Sequence, residues 1–257
     1  MVPEWGHFLS AMTLALARIS GIIVFAPFFS AAALPARSKA VFALALAYLL
    51  APVVASLQTA NATLCLSSLL AEVGVGLIYG LSLALINEML LFAGQIAGIQ
   101  FSFSLVNLMD PASSIQTPLL SELFQLMGTL VILGAGLDRV LIASLVRSFQ
   151  VVPLGGYVLT TATSSVLLRA AGGVFLAALQ LAAPVLAATL LIEVAVALLA
   201  RLSPQLPVMS LTVPLKTLTG FALLAGSLAL WPRFIEVHFD RLLDLAENLL
   251  RSGTAGG

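Results

Sequence analysis

Few side chains in this 257-residue sequence could do chemistry, and those few are set among apolar residues. Arg18 falls near the centre of the apolar stretch 4–29. An unpaired arginine there costs about 2.5 to 3.5 kcal/mol to insert into a bilayer, so a partner or an aqueous interior must offset it. Glu88, Gln95, Gln100 and Asn107 would be equally poorly placed in lipid. Glu88 and Gln95 fall on one helical face, which reads as turned towards protein or water; the plainer reading is a set of helix-packing hydrogen bonds. Glu193, Arg201 and Lys216 stand in long apolar stretches further on and read with Arg18 as assembly or interior polar positions. None of these residues forms a catalytic pattern. No HExxH, GxSxG or metal-ligand cluster is present, and His7 and His238 lie near opposite ends. The expectation is a protein that is not an enzyme and takes no metal or cofactor. Cys65 is alone, so no internal disulfide can form.

The segment 94–118, GQIAGIQFSFSLVNLMDPASSIQTP, is the most distinctive polar stretch. Pro111 pushes Asp110 out of the helical region and Pro118 does the same to Thr117, while Ser113, Ser114 and Gln116 supply local hydrogen bonds. A polar loop is thus expected between two apolar flanks. In a membrane protein such backbone is tolerated outside the hydrocarbon, inside protein, or beside a water-filled cavity.

The elements that must position these residues follow from composition. Hydrophobic residues make up 61% of the chain and charged residues 9%, with a mean hydropathy of +1.13, which describes an integral membrane protein. The charge-free runs 40–71, 89–109 and 170–192 exceed the roughly 18 to 20 residues that a spanning helix needs. Barrel-type alternation is missing, so the spans are expected to be helices. A net charge of zero gives no nucleic-acid signature. Arg18 followed by 19–29 and Ser30-Ala31-Ala32-Ala33 imitates a signal peptide, but the residues before Arg18 include Glu4 and are mostly apolar, which reads as a membrane helix.

In order, the expected elements are a helix over 4–29 and a second over 40–50 ending at Pro52, then a polar link at 58–63. By the positive-inside rule the connection carrying Arg37 and Lys39 is cytoplasmic and the N-terminus lies on the far side. Two GxxxG pairs, Gly76/Gly80 and Gly94/Gly98, flank Asn87-Glu88 and read as a packed helical hairpin. Helices follow over 119–133 and 138–149, then a stop at 152–156 and a polar linker at 160–165. Beyond it lie a long helix over 166–202 kinked at Pro184, and another over 211–230. The tail 233–251 alternates apolar and acidic residues at helical spacing and reads as an amphipathic helix that docks on a protein partner or lies on the membrane. The fold class is all-α, a polytopic membrane protein of broken helices and hairpins. It divides into a block over 1–160, a hairpin over 165–231 and the tail.

Taken together, these residues resemble the family of the flagellar export-gate protein FliR and its counterpart in virulence-type secretion systems. The likeness is carried by Arg18-Ile19-Ser20-Gly21 with Pro27-Phe28-Phe29-Ser30, Pro35 with Lys39, the stretch 94–100, and Asp110-Pro111-Ala112-Ser113 with Gln116 and Pro118. It continues in Ser148-Phe149 with Pro153-Leu154-Gly155, Arg201 with Pro204-Gln205, and Pro214-Leu215-Lys216. The chain departs from the family pattern at Pro207, at Met209 and at Gly136-Leu137-Asp138.

The resemblance implies a gate subunit in the bacterial inner membrane, within a flagellar basal body or injectisome, with part of the assembly above the bilayer plane. The partners it implies are FliP-like and FliQ-like membrane subunits, an FlhB-like switch subunit, exported unfolded proteins and lipid. It also implies that the loop 107–118 is a plug, to which Met109, flexible and apolar, contributes. The rival from another class is a small-molecule secondary transporter or channel, for which broken helices and midplane polar groups are also expected.

Overall fold

The computed structural model describes residues 2–26, 35–57, 64–101, 119–158, 161–203, 205 and 208–254. Among them every regular element is helical: α1 Val2–Phe25, α2 Ala36–Leu57, α3 Leu66–Gln100, α4 Leu119–Gly134, α5 Leu137–Val151, α6 Thr161–Leu202, α7 Val208–Ser227 and α8 Trp231–Thr254. A single 3-10 turn, Leu228–Leu230, joins the last two. Five helices are long and apolar enough to cross a membrane, or six spans if α4 and α5 form one broken span. The expected all-α polytopic membrane protein is what folds.

Several features are placed differently from the reading of the sequence. Pro52 lies inside α2 rather than at its end. In apolar surroundings a helix can pass a proline, because neighbouring helices and small local adjustments satisfy the freed carbonyl. Residues 87–88 lie within the unbroken 35-residue α3, so the two GxxxG pairs do not form a hairpin with each other. Residues 161–165, expected as a linker, belong to the start of α6.

The helices assort into two compact units that interleave along the chain. One comprises Met1–Ile86, Ile132–Ala171 and Glu236–Gly257; the other comprises Asn87–Val131 and Gly172–Ile235. In the first unit α1 packs against α2, whose inward face is Ala43, Ala47, Ala51 and Val54. Small residues at helical spacing let the backbones approach, the main source of association where lipid tails are as apolar as the side chains. The same device joins α1 to α3. A Cβ on Gly21 would lie 2.8 Å from the Gly76 carbonyl carbon, one on Gly76 would strike the Arg18 carbonyl oxygen, and one on Gly80 would come within 2.6 Å of the Gly21 oxygen.

The amphipathic α8 buries Phe239, Leu243, Ala246, Leu249 and Leu250, so its apolar face is already covered. Arg147 of α5 reaches Glu247 at 3.8 Å, and the Tyr157 ring occupies the space that a side chain at 253 would need. The expectation that this face docks on a separate protein or on lipid is therefore corrected.

In the second unit the end of α3 meets α4 at Gly94, where a Cβ would be 2.9 Å from the Leu120 oxygen. Ser121 donates its hydroxyl to the Leu91 carbonyl at 3.1 Å beside it. Gly98 makes no such approach: a Cβ there would sit at an ordinary 3.7 Å from Leu120. The Phe101 ring lies over Gly220 of α7, with the Phe221 ring centroid 5.1 Å away.

Candidate functional site

Arg18, in the last two turns of α1, is fully buried, and so is Glu72 in the second turn of α3. They meet as a two-pronged pair: Arg18 Nε donates to Glu72 Oε2 at 2.6 Å and Nη2 to Oε1 at 3.1 Å. Nη2 also donates to the Val152 carbonyl at 3.0 Å, and Nη1 to Ser148 Oγ at 3.2 Å. The guanidinium carbon stands 4.3 Å from the centroid of the Phe149 ring. The Glu72 carboxylate accepts a third bond, at Oε1, from the Gly155 N–H at 2.8 Å. Gly155 sits at φ +74°, a backbone state that other residues rarely adopt, and a Cβ there would press on Ser68 at 2.9 Å.

The Arg18 problem raised by the sequence is thus answered inside the chain. The planar fork matches the carboxylate, and further bonds join the pair to Ser148 near the end of α5 and to Val152 and Gly155 of the turn that follows it. Two stretches on which the family likeness rests, Arg18-Ile19-Ser20-Gly21 and Ser148-Phe149 with Pro153-Leu154-Gly155, converge on this one point although 130 residues separate Arg18 from Ser148. The element that bridges them, Glu72, was not singled out by sequence reasoning. A signal was present: Glu4 and Glu72 are the only carboxylates before Glu88, so the candidates for a buried partner of Arg18 were few.

One turn of α5 before Ser148, Ser144 donates to the buried Tyr79 hydroxyl at 3.1 Å. At the approach to α3, the exposed Cys65 thiol lies 3.0 Å from Ser67 Oγ and 3.2 Å from Ser68 Oγ. Hydrogen bonding from Ser67 first, then Ser68, favours the thiolate and lowers the Cys65 pKa to about 7.

The other sequence-derived positions do not join this cluster. Glu88 is exposed and Gln95 half-buried. Gln100 accepts a hydrogen bond from Thr189 of α6 at 3.2 Å. Lys216 is buried and bonded to Glu193, whose side chain remains 52% exposed. Arg201 is exposed at the end of α6. Asn107, Met109, Asp110, Pro111, Ser113, Ser114, Gln116 and Pro118 lie outside the described residues, as do Pro27 to Ser30, Pro204 and Pro207.

Apolar helices with outward hydrophobic faces, joined by glycine contacts and by the buried Arg18–Glu72 pair, define a polytopic helical membrane protein. Comparison with known proteins narrows the class: the family described as bacterial export proteins, family 1, matches residues 9–242. The chain belongs to that family. It is similar to the flagellar biosynthetic protein FliR of Escherichia coli (strain K12), with 27% identity over 96% of this chain and 95% of the relative. The proteins of the same name from Caulobacter vibrioides and Bacillus subtilis are 27% and 29% identical, over 90% and 66% of this chain and 94% and 69% of the relatives.

Proposed function

We propose that this chain is a subunit of the flagellar protein export gate in the bacterial inner membrane, forming part of the conduit through which unfolded proteins cross. The observation that carries the reading is the family match along residues 9–242, with relatives of one name aligned over most of their length. In this reading the chain assembles with FliP-like and FliQ-like membrane subunits and contacts an FlhB-like switch subunit. The segment 107–118, with Met109, helps to close the pore, a role drawn from the family resemblance and from the Asp110-Pro111 and Thr117-Pro118 breaks.

Helix length agrees with an assembly that stands partly above the bilayer plane. At 1.5 Å per residue the 42 residues of α6 extend about 63 Å, against about 30 Å of hydrocarbon.

The test is gentle solubilisation followed by permeability measurement. The chain is expected to purify in a stoichiometric complex with two smaller membrane proteins; recovery as a lone, ligand-stabilised monomer would overturn the gate reading. Deleting 113–116 should leave that complex intact and make the membrane leak ions, whereas an unchanged barrier would remove the plug role.

A further inference from the structure

One stretch of the 42-residue α6 has neither packing nor propensity to hold it. Between the buried Thr163 and the buried Val174, no residue from 164 to 173 is buried. Helices in proteins owe most of their stability to such packing, and without it they rest on propensity alone. The stretch ends on Gly172-Gly173, two poor helix formers side by side. Nothing in the packing asks for them. A Cβ at either position would meet no atom within 4 Å, whereas Gly21, Gly76, Gly80 and Gly94 each receive a backbone that a methyl group would strike.

The pair also stands at a particular place in the fold, because the chain passes from one compact unit to the other between Ala171 and Gly172. The other passages are built differently. At Ile86 and Asn87 the helix α3 is held by the buried Leu83, Ile86, Met89 and Leu90, and at Ile235 and Glu236 the helix α8 is held by Trp231, Ile235 and Phe239. The passage at Val131 and Ile132 is followed within a turn by the end of α4 and by Gly136 at φ +71°, where the helix is already broken. Pro184, the kink expected from the sequence, lies among the buried Leu181, Ala182 and Val185.

We propose that Gly172-Gly173 is a hinge, at which α6 bends by local opening of its hydrogen bonds while the turns on either side stay helical. Hinges are a few positions that absorb a change in backbone angles, and small paired residues are a recurrent place for a helix to bend. Bending here leaves intact the buried contacts that begin at Val174 and continue through Ala177, Ala178 and Leu181. The hinge is a property of the helix and does not rest on the export reading.

The experiment is amide hydrogen exchange along α6 of the full chain in detergent, read on overlapping peptides by mass spectrometry. In the wild type, exchange should peak at the amides just after the glycine pair and be slower on both sides. Gly172→Ala with Gly173→Ala fits the open space, so it should melt no lower than the wild type and slow that peak by up to about thirty-fold, the equivalent of about 1 kcal/mol at each glycine. Exchange beyond Val185 should not change. The proposal is overturned by even protection along α6, by a gradient falling steadily from Thr161, which is fraying of the helix end, or by a peak at Pro184 instead. Unchanged exchange in the double alanine variant would overturn it as well. So would a lower melting temperature, which would mean that the glycines serve packing.

Discussion

Arg18 and Glu72 show how a charge is kept inside an apolar fold. Each is neutralised by the other, and further hydrogen bonds run to Ser148 near the end of α5 and to Val152 and Gly155 of the turn that follows it. Breaking such a pair from one side leaves a bare buried charge, which typically costs about 3 to 5 kcal/mol. Arg18→Leu should therefore insert into the membrane at least as well as the wild type, since it removes a costly arginine, and still unfold at a much lower temperature in detergent. Glu72→Leu should do the same. The double variant should lose clearly less than the sum of the two, because it strands no charge and leaves only the neutral Ser148 hydroxyl, Val152 carbonyl and Gly155 N–H without these partners. Additive losses in thermal unfolding would show that the pair is not a unit. A second residue-level expectation concerns Cys65. With its pKa lowered to about 7, alkylation of the thiol should accelerate through neutral pH as the thiolate forms. Ser67→Ala removes the hydrogen bond that does most to favour the thiolate and should move the midpoint up towards the ordinary 9.0, read from rates measured across a pH series.

At the scale of elements, α3 explains why glycine spacing alone misleads. The motif repeats, but Gly76 and Gly80 receive α1, Gly94 receives α4, and Gly98 has room to spare. Gly76→Ala would force backbone against backbone where no flexible side chain can yield, so a loss of about 1 to 3 kcal/mol is expected, while Gly98→Ala should be neutral or slightly stabilising through its better helix propensity. Comparing the melting temperatures of the two variants in one detergent checks the assignment; equal effects would refute it. The existence and type of the helices were legible in the sequence because long apolar runs admit few alternatives. Their junctions were less so. Pro52 and residues 161–165 carry local signals for an end or a linker, and tertiary surroundings outweigh such signals when neighbouring helices satisfy the backbone.

At the scale of the whole molecule, two compact units are built from stretches that alternate along the chain, with α3 and α6 each contributing to both. Composition by itself determined that this is an all-α membrane protein, because a chain with 61% hydrophobic and 9% charged residues must satisfy its backbone internally, and the ordered series of short motifs marked the family. The sequence also showed that Arg18 required an offset, since the cost of an unpaired intramembrane cation is set by its depth, which its place in the apolar stretch gives. Only the tertiary structure decided what supplies it. Glu72 lies 54 residues away and the turn that completes the cluster more than 130 away, distances at which no local rule links one residue to another. Helix packing brings them together through the glycine contacts between α1 and α3, and no periodicity along a single helix records which neighbour its face will meet.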